Sequence, residues 1–320
     1  MKSLQQLLAK QNEEELERFA KLWAIESTPR DGWIHHRTSF LQRFDDIIAA
    51  RFVWERLSGD ERVLLFNILG PARLNWAERE ALAKKVQKVL PGERFEAALA
   101  SLKERFFLEE EAAKLQGDQL LDGRASYYSY GTYGSKSKKN PIRDVTILYV
   151  PQEISDTFHR VSREVFPVHE ELPPERMTLE QVLVELPQSN LNAISNHYGW
   201  MPYGGAQSTA RGLALLLLQP DRLAYTLGRL QLEPAILELL RWLRKVGGRA
   251  TMQEVRKRIG DEGQLSATLH LLADYALAFD RFKGQERVLF IPGDIYKILV
   301  DSASIPMAEY PVGLVPLSSP

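Results

Sequence analysis

Cysteine is absent from the 320 residues of this sequence, which excludes disulfides, cysteine nucleophiles and every metal site built on thiolates. Neither sign of charge is in excess, since 41 Lys and Arg residues face 42 Asp and Glu residues. A protein that coats nucleic acid by bulk charge is strongly basic, so any such binding here must come from a local cluster. The longest apolar run, 213–218, is far too short to span a bilayer, and no apolar core of signal-peptide length follows Met1. We therefore expect a cytoplasmic protein that makes no contact with a membrane.

Motifs of catalysis and cofactor binding are equally scarce. The chain has no Gly-x4-Gly-Lys-Ser/Thr loop for a nucleotide and no Gly-x-Ser-x-Gly nucleophile elbow. The six histidines lack metal-ligand spacing, because His35 and His36 are adjacent and His159 and His169 stand ten residues apart. These observations predict a protein that is not an enzyme and holds neither cofactor nor metal. Carboxylates are abundant, however, and a pair that converges in space remains an alternative that no motif marks.

The chain contains two similar halves. Residues 3–8 (SLQQLL) resemble residues 178–183 (TLEQVL), and residues 147–154 (ILYVPQEI) resemble residues 288–295 (VLFIPGDI). The first pair is offset by 175 residues and the second by 141, so the first copy carries roughly thirty extra residues before its final strand. Further matches of apolar residues occur in the same order between these two pairs. The pattern predicts an internal duplication.

The second half has the pattern of three helices followed by a β-hairpin. Apolar residues at three- and four-residue spacing predict helices over 234–246, 252–259 and 264–276. Two short strands then flank a tight turn at 283–285. Three helices and a hairpin are the element order of a winged helix.

Residues 232–299 therefore resemble the winged-helix superfamily, and residues 57–158 resemble it to a lesser degree. The helix pair before each of these segments resembles the helix-extended-helix modules of SAP or Rho N-terminal type. With the strand exits 150–154 (VPQEI) and 291–295 (IPGDI), the combination resembles the helicase-associated N-terminal regions of bacterial proteins related to XPB-like helicases. The resemblance implies a DNA-associated accessory protein without a motor.

The expected fold is mainly α with small β-hairpins, and it contains two copies of a helical module followed by a winged helix. The expected boundaries are 1–48 for the first helical module, 49–165 for the first winged helix, 166–176 for a linker, 177–228 for the second helical module, 229–300 for the second winged helix and 301–320 for an extended C-terminal tail. Pro151 and Pro292 are expected where a strand leaves each hairpin, since proline cannot donate within a ladder. Two core clusters are expected, one of Leu64, Phe66, Leu99, Leu102 and Leu148, and one of Leu240, Leu243, Leu269, Leu272, Leu289 and Ile291.

The extra residues of the first copy are the strongest candidate for a binding segment. They fall over 117–144, where the hairpin of the first winged helix is expected, and so predict an enlarged wing. Between residues 124 and 143 the segment combines cations and tyrosines with no acidic residue. Cations neutralise phosphates and tyrosine rings stack on bases, so nucleic-acid contact is expected from Arg124, Tyr127, Tyr128, Tyr130, Tyr133, Lys136, Lys138, Lys139 and Arg143. The alternative is a solvated loop whose tyrosines fold back over the domain.

A second basic cluster lies on the first two predicted helices of the second winged helix. Its expected nucleic-acid contacts are Arg249, Arg256, Lys257 and Arg258, and the alternative is a solvated helix face. In a DNA-reading winged helix the third helix normally enters the major groove. Here that helix has no Lys or Arg in the second copy and balanced charges in the first, so sequence-specific base reading is not expected.

The functional prediction is a non-catalytic DNA-associated protein that contacts the phosphate backbone through its basic wing and works beside a helicase or a transcription complex. The alternative is a protein-interaction scaffold that binds no nucleic acid, since neither third helix is basic. The aromatic loop 199–205 has two interpretations, a plug that locks the loop to the core and a contact surface for a partner; the matching Trp33 in the first copy favours the plug.

Overall fold

The chain divides into two compact units, Met1–Arg163 (unit 1) and Glu164–Pro320 (unit 2). Each unit therefore holds one of the expected helical modules together with the helices and strands that follow it. The expected module boundary after residue 48 falls inside a helix. The computed structural model describes residues 1–23, 32–36, 40, 44–69, 74–117, 119–120, 141–167, 172–201, 204–219, 221, 223 and 234–301.

Unit 1 places a group of helices before a small antiparallel sheet and closes with a helix. Its elements are α1 (Leu4–Leu8), α2 (Glu13–Leu22), a 3-10 turn (Trp33–His36), α3 (Ile47–Arg56), α4 (Gly59–Leu69), β1 (Trp76–Glu78), α5 (Arg79–Val86), α6 (Gly92–Glu104), β2 (Glu109–Gln116), β3 (Gln119–Leu120), β4 (Ile142–Tyr149) and α7 (Gln152–Val165).

Unit 2 has its elements in a similar order. They are a 3-10 turn (Pro174–Arg176), α8 (Leu179–Glu185), α9 (Gln188–His197), α10 (Ala206–Leu217), α11 (Pro234–Lys245), β5 (Arg249–Thr251), α12 (Met252–Ile259), α13 (Glu262–Asp274), β6 (Phe279–Lys283), β7 (Glu286–Phe290) and α14 (Gly293–Asp301).

Both sheets are small and antiparallel, which confirms the prediction of a mainly helical fold with β-hairpins. The strand order is β1-β4-β2-β3 in unit 1 and β5-β7-β6 in unit 2. In each unit a three-residue strand, β1 or β5, adds to the hairpin, and neither of these short strands was predicted. Pro151 and Pro292 each follow their hairpin strand by two residues, as expected.

Aromatic rings fill much of the core of unit 1. The Trp23 ring centroid lies 4.9 Å from that of Phe44, 6.1 Å from that of Phe107 and 5.9 Å from that of Phe158. The predicted core residues Leu64, Leu99, Leu102 and Leu148 are all buried. The prediction was wrong for Phe66, which is only partly buried because the buried stripe of α4 follows the three- and four-residue spacing of Leu64, Leu65, Ile68 and Leu69.

The core of unit 2 contains all six residues predicted for it, each no more than 2% exposed. Its hairpin is buried along four consecutive residues of each strand, although alternate side chains point to opposite faces. One of those faces holds a buried ion pair: Arg287 Nε donates to Asp280 Oδ2 at 2.8 Å, and Arg287 Nη2 lies 2.6 Å from the same oxygen. The hairpin of unit 2 is therefore an interior element over most of its length.

A carboxylate near the end of each unit holds the first helix of that unit. In unit 1, Glu153 Oε2 on α7 accepts a hydrogen bond from the Leu4 N–H of α1 at 3.0 Å. In unit 2, both Asp294 carboxylate oxygens on α14 lie 3.0 Å from the Leu179 nitrogen of α8. The N-caps Ser3 and Thr178 predicted for these two helices are present, each in a reciprocal capping box with a glutamine. These bonds fasten each helical module to the last helix of the same half of the chain.

Candidate nucleic-acid interface

The Tyr- and Lys-rich segment connects two strands of the unit 1 hairpin. β2 and β4 pair from Glu109 opposite Tyr149 out to Gln116 opposite Ile142, and β3 folds back onto the outer end of β2. At that outer end Ile142 is 60% exposed. The chain between β3 and β4 thus starts and finishes at an exposed hairpin end. Eight of the nine wing residues predicted to contact nucleic acid lie in this connection and outside the described residues: Arg124, Tyr127, Tyr128, Tyr130, Tyr133, Lys136, Lys138 and Lys139.

Arg143 is the one predicted wing residue that the structure describes, and it lies on β4. Its Nη2 is 2.8 Å from Glu78 Oε2 on β1, and its side chain is half exposed. Exposed ion pairs of this kind contribute little to stability and can exchange partners. Arg143 is therefore held beside a carboxylate at the edge of the sheet and is not a free cation.

Two residues of the second basic cluster also lie against carboxylates. Arg249 on β5 is 3.3 Å from Glu286 and 3.8 Å from Glu175, measured between guanidinium nitrogen and carboxylate oxygen. Arg256 on α12 has its Nε 2.8 Å from Glu262 Oε1. These contacts compete with any phosphate for the two guanidinium groups.

Lys257 and Arg258, also on α12, are exposed. Within the described residues neither makes an ion pair with a carboxylate, and the Cζ atom of Arg258 lies 5.2 Å from the centroid of the Trp242 ring. A guanidinium stacked on a ring keeps its N–H edges open to a second partner. Of the four cluster residues predicted from the sequence, these two remain available to an anion.

A matching set of cations on and just after α5 of unit 1 was not predicted. Lys84, Lys85 and Lys88 are exposed, and within the described part of the chain their side chains make no ion pair or hydrogen bond. Lys84 and Lys85 are the sixth and seventh residues of α5, as Lys257 and Arg258 are of α12. No local sequence signal marks them, because the match appears only when positions are counted from the start of the helix that follows β1 or β5.

The third helices carry no basic surface. On α6, Arg94 Nε donates to Asp60 at 2.8 Å, and this hydrogen bond lowers the pKa of the Asp60 carboxyl. Also on α6, Lys103 is bonded to Glu110 of β2. The end of α13 is covered by the end of α9, where the Tyr198 hydroxyl donates to the Tyr275 carbonyl at 2.9 Å. Arg94 and Lys103 of α6 are therefore held by carboxylates, and the C-terminal end of α13 is packed against α9.

The inner part of the unit 1 hairpin is acidic. Glu109, Glu110 and Glu111 are consecutive on β2, and burial raises the pKa of the Glu109 carboxyl. Glu110 pairs with Lys103 and also lies 3.7 Å from Arg79. The negative charge of these carboxylates makes the inner part of this hairpin unfavourable for a phosphate.

The aromatic loop after α9 packs on its own unit. Trp200 donates its backbone N–H to the Ser195 carbonyl at 2.9 Å, and its ring lies directly against Gly212 of α10. The corresponding Trp33 of unit 1 is buried, and its backbone N–H donates to Glu13 Oε1 at 2.5 Å. Both tryptophans thus fit the plug interpretation. Met201, next to Trp200, is exposed.

Other kinds of site find no support among the residues that the structure describes. No group of three or more His, Asp or Glu side chains is placed to hold a metal ion there. In the same residues no helix is long and apolar enough to cross a membrane. In comparisons with known proteins, no family model, curated protein or solved structure matches the chain.

Proposed function

We propose that this protein is a non-catalytic DNA-associated protein built from two copies of a helical module followed by a winged helix. It contacts the phosphate backbone through the connection between β3 and β4 and acts beside a helicase or a transcription complex. The partner in that complex comes from the resemblance described above, whereas the DNA contact is argued from the chain itself.

The duplication is supported by matching backbone details in the two units. Phe106 and Ala276, in the turns after α6 and α13, both have positive φ, at 59° and 51°. Few non-glycine residues adopt this left-handed conformation, so its recurrence at the same turn is informative. The residue after each hairpin's returning strand is also held in the same way, since Val150 N–H donates to the Asn75 carbonyl in unit 1 and Ile291 N–H donates to the Gly248 carbonyl in unit 2.

The observation that carries the functional proposal is the place where the basic segment joins the fold. Residues 121–140 connect two strands at the exposed end of a hairpin, which is the position of the wing in a winged helix. In unit 2 the equivalent hairpin turns through Gly284 and Gln285 alone. A hairpin of this kind therefore folds without a longer connection. The fold does not require the length of residues 121–140, which favours binding as the role of the cations and tyrosines in that segment.

The test is a titration of labelled duplex and single-stranded DNA, followed by fluorescence anisotropy across a salt series. Phosphate contact predicts that the logarithm of the binding constant falls linearly with the logarithm of the salt concentration. The slope is about 0.9 for each phosphate neutralised on duplex DNA. Replacing Lys136, Lys138 and Lys139 by Ala should flatten that slope by up to roughly 2.7. A variant with Lys10, Lys21 and Lys297 replaced by Ala changes the net charge equally at exposed sites elsewhere and is the matched control.

Tyrosine substitutions separate stacking from charge. Replacing Tyr128 or Tyr130 by Ala should weaken the binding of single-stranded DNA more than that of duplex, because only unpaired bases offer their faces to the ring.

The second candidate function is the protein-interaction scaffold. It is favoured by α13, which lacks cations, and by the pairing of Arg143, Arg249 and Arg256 with carboxylates. If the wild-type protein binds neither duplex nor single-stranded DNA at low salt, the DNA proposal is wrong and the scaffold stands.

A further inference from the structure

The helix that follows the first strand of each sheet, α5 or α12, carries exposed cations that are separate from the proposed wing. We infer that α5 and α12 are two equivalent phosphate-binding helices, one in each unit, and that each contacts the backbone of duplex DNA. The inference rests on the proposed function for the identity of the polyanion. It adds two contact surfaces, one of them on residues that no sequence motif marked.

The last two cations of α12, and the cations in and just after the last turn of α5, form no ion pair with a carboxylate of the described residues. Other cations on the same helices have carboxylate partners: Arg79 at the start of α5 bonds Glu96, and Arg256 in the middle of α12 bonds Glu262. Within the described residues, Lys84, Lys85 and Lys88 have no such partner. Cations left without a carboxylate are the groups that can neutralise a phosphate without first breaking an ion pair.

The acidic neighbours on the two helices do not cancel this charge. α5 has one exposed carboxylate, Glu80, in its first turn. α12 has Glu254, whose carboxylate accepts hydrogen bonds from the Thr251 N–H at 2.8 Å and from the Thr251 hydroxyl at 2.9 Å. These bonds and, to a smaller degree, the charge of Lys257 lower the pKa of Glu254, and the bonds keep its carboxylate at the N-terminal end of the helix. The C-terminal half of each helix is left positive.

The basic residues recur at the same position in the two helices. Lys84 and Lys85 match Lys257 and Arg258 in position along helices that each follow the first strand of their sheet. Basic residues in a last turn also interact favourably with the helix dipole, and that effect alone would place one or two cations here. Lys88 lies beyond the end of α5, in the following turn, where the dipole does not require a cation. Charge repeated at the same position of two helices indicates a shared role, and the phosphodiester backbone is the anion that the proposed function supplies.

The experiment compares two variants with the wild type in the duplex titration described above. One variant replaces Lys84, Lys85 and Lys88 by Ala, and the other replaces Lys257 and Arg258 by Ala. Removing one phosphate contact should reduce the salt slope by about 0.9, which at 0.1 M salt corresponds to roughly an eightfold rise in Kd. Both variants should therefore bind at least about eightfold more weakly at 0.1 M salt, with slopes lower by about one unit or more.

The controls separate the possible failures. The variant with Lys10, Lys21 and Lys297 replaced by Ala has the same net charge as the α5 variant, and thermal melting checks that every variant is folded. If the wild type binds duplex but both helix variants match the control, the inference is wrong while the proposed function stands. If the wild type does not bind DNA, the proposed function fails and the inference falls with it. Weakened binding in the helix variants with unchanged binding in the Lys136, Lys138 and Lys139 variant supports the inference and moves the contact from the wing to the helices.

Discussion

The ion pair inside the unit 2 hairpin allows a quantitative test of how that hairpin is built. Asp280 and Arg287 are 2% and 1% exposed at their side chains, and a single carboxylate oxygen receives both guanidinium contacts. Removing one partner of a buried pair costs about 3–5 kcal/mol, because the remaining charge loses the opposite charge that offset its desolvation. We therefore expect Asp280→Leu to lower the free energy of unfolding of unit 2 by about that amount. For a unit of this size the loss corresponds to a fall in Tm of roughly 6–20 °C.

The matched change is the double substitution Asp280→Leu with Arg287→Met, which replaces both charges by apolar side chains. A buried pair exchanged for packed apolar groups is often neutral, so the double variant should stay within about 1 kcal/mol of the wild type. Urea unfolding followed by far-UV circular dichroism measures the four members of this cycle, with the slope m expected to stay constant. A cost below about 1 kcal/mol for Asp280→Leu would mean that the pair behaves as an exposed one and that the interior position of the hairpin is wrong.

Three further predictions concern single contacts. Gly212→Ala should destabilise unit 2 in urea unfolding although alanine favours helix, because the new Cβ would lie 2.6 Å from Cζ2 of Trp200; a gain in stability would contradict the plug. Thr251→Val should return the lowered Glu254 pKa toward 4.5 in an NMR titration, because the hydroxyl that bonds the carboxylate is removed. A lowered carboxyl pKa adds stability above the unfolded pKa, and this stability is lost as the pH falls through the folded pKa. The variant should therefore lose less stability than the wild type on acidification. Leu272→Ala should cost about 2–5 kcal/mol in thermal unfolding, since the side chain is 0% exposed; a cost under about 1 kcal/mol would show that its cavity collapses.

Local signals made the helices of unit 2 predictable. α12 occupies the predicted residues 252–259, because Thr251 provides the side-chain cap and Gly260 ends the helix with a φ of 82°. The strands β1 and β5 could not be predicted in this way. Each has only three residues, and each is defined by pairing with a strand that comes much later in the chain.

Which cations are paired with carboxylates could not be predicted from the sequence for a related reason. Arg143 is paired with Glu78, which is 65 positions away along the chain, so no local pattern reports the contact. Lys84 and Lys85 form a short run in a segment that also contains acidic residues, so the sequence around them is not conspicuously basic and they were not predicted. Their significance depends on knowing that β1 precedes α5, which only the folded sheet reveals. The basic segment between two strands could be located from the sequence, but which charges are free could not.

The carboxylate contacts that hold α1 and α8 affect the order in which parts of the chain can fold during synthesis. Leu4 meets Glu153 across 149 positions, and Leu179 meets Asp294 across 115. Contacts between such distant partners slow folding, because the long intervening loop must be closed before they form. During synthesis at about 5–20 residues per second, α8 would wait roughly 6–23 s after its own translation for the residue that fastens it. The apolar faces of these first helices are exposed to wrong partners throughout that interval, so truncations that remove either closing helix should yield aggregation-prone protein.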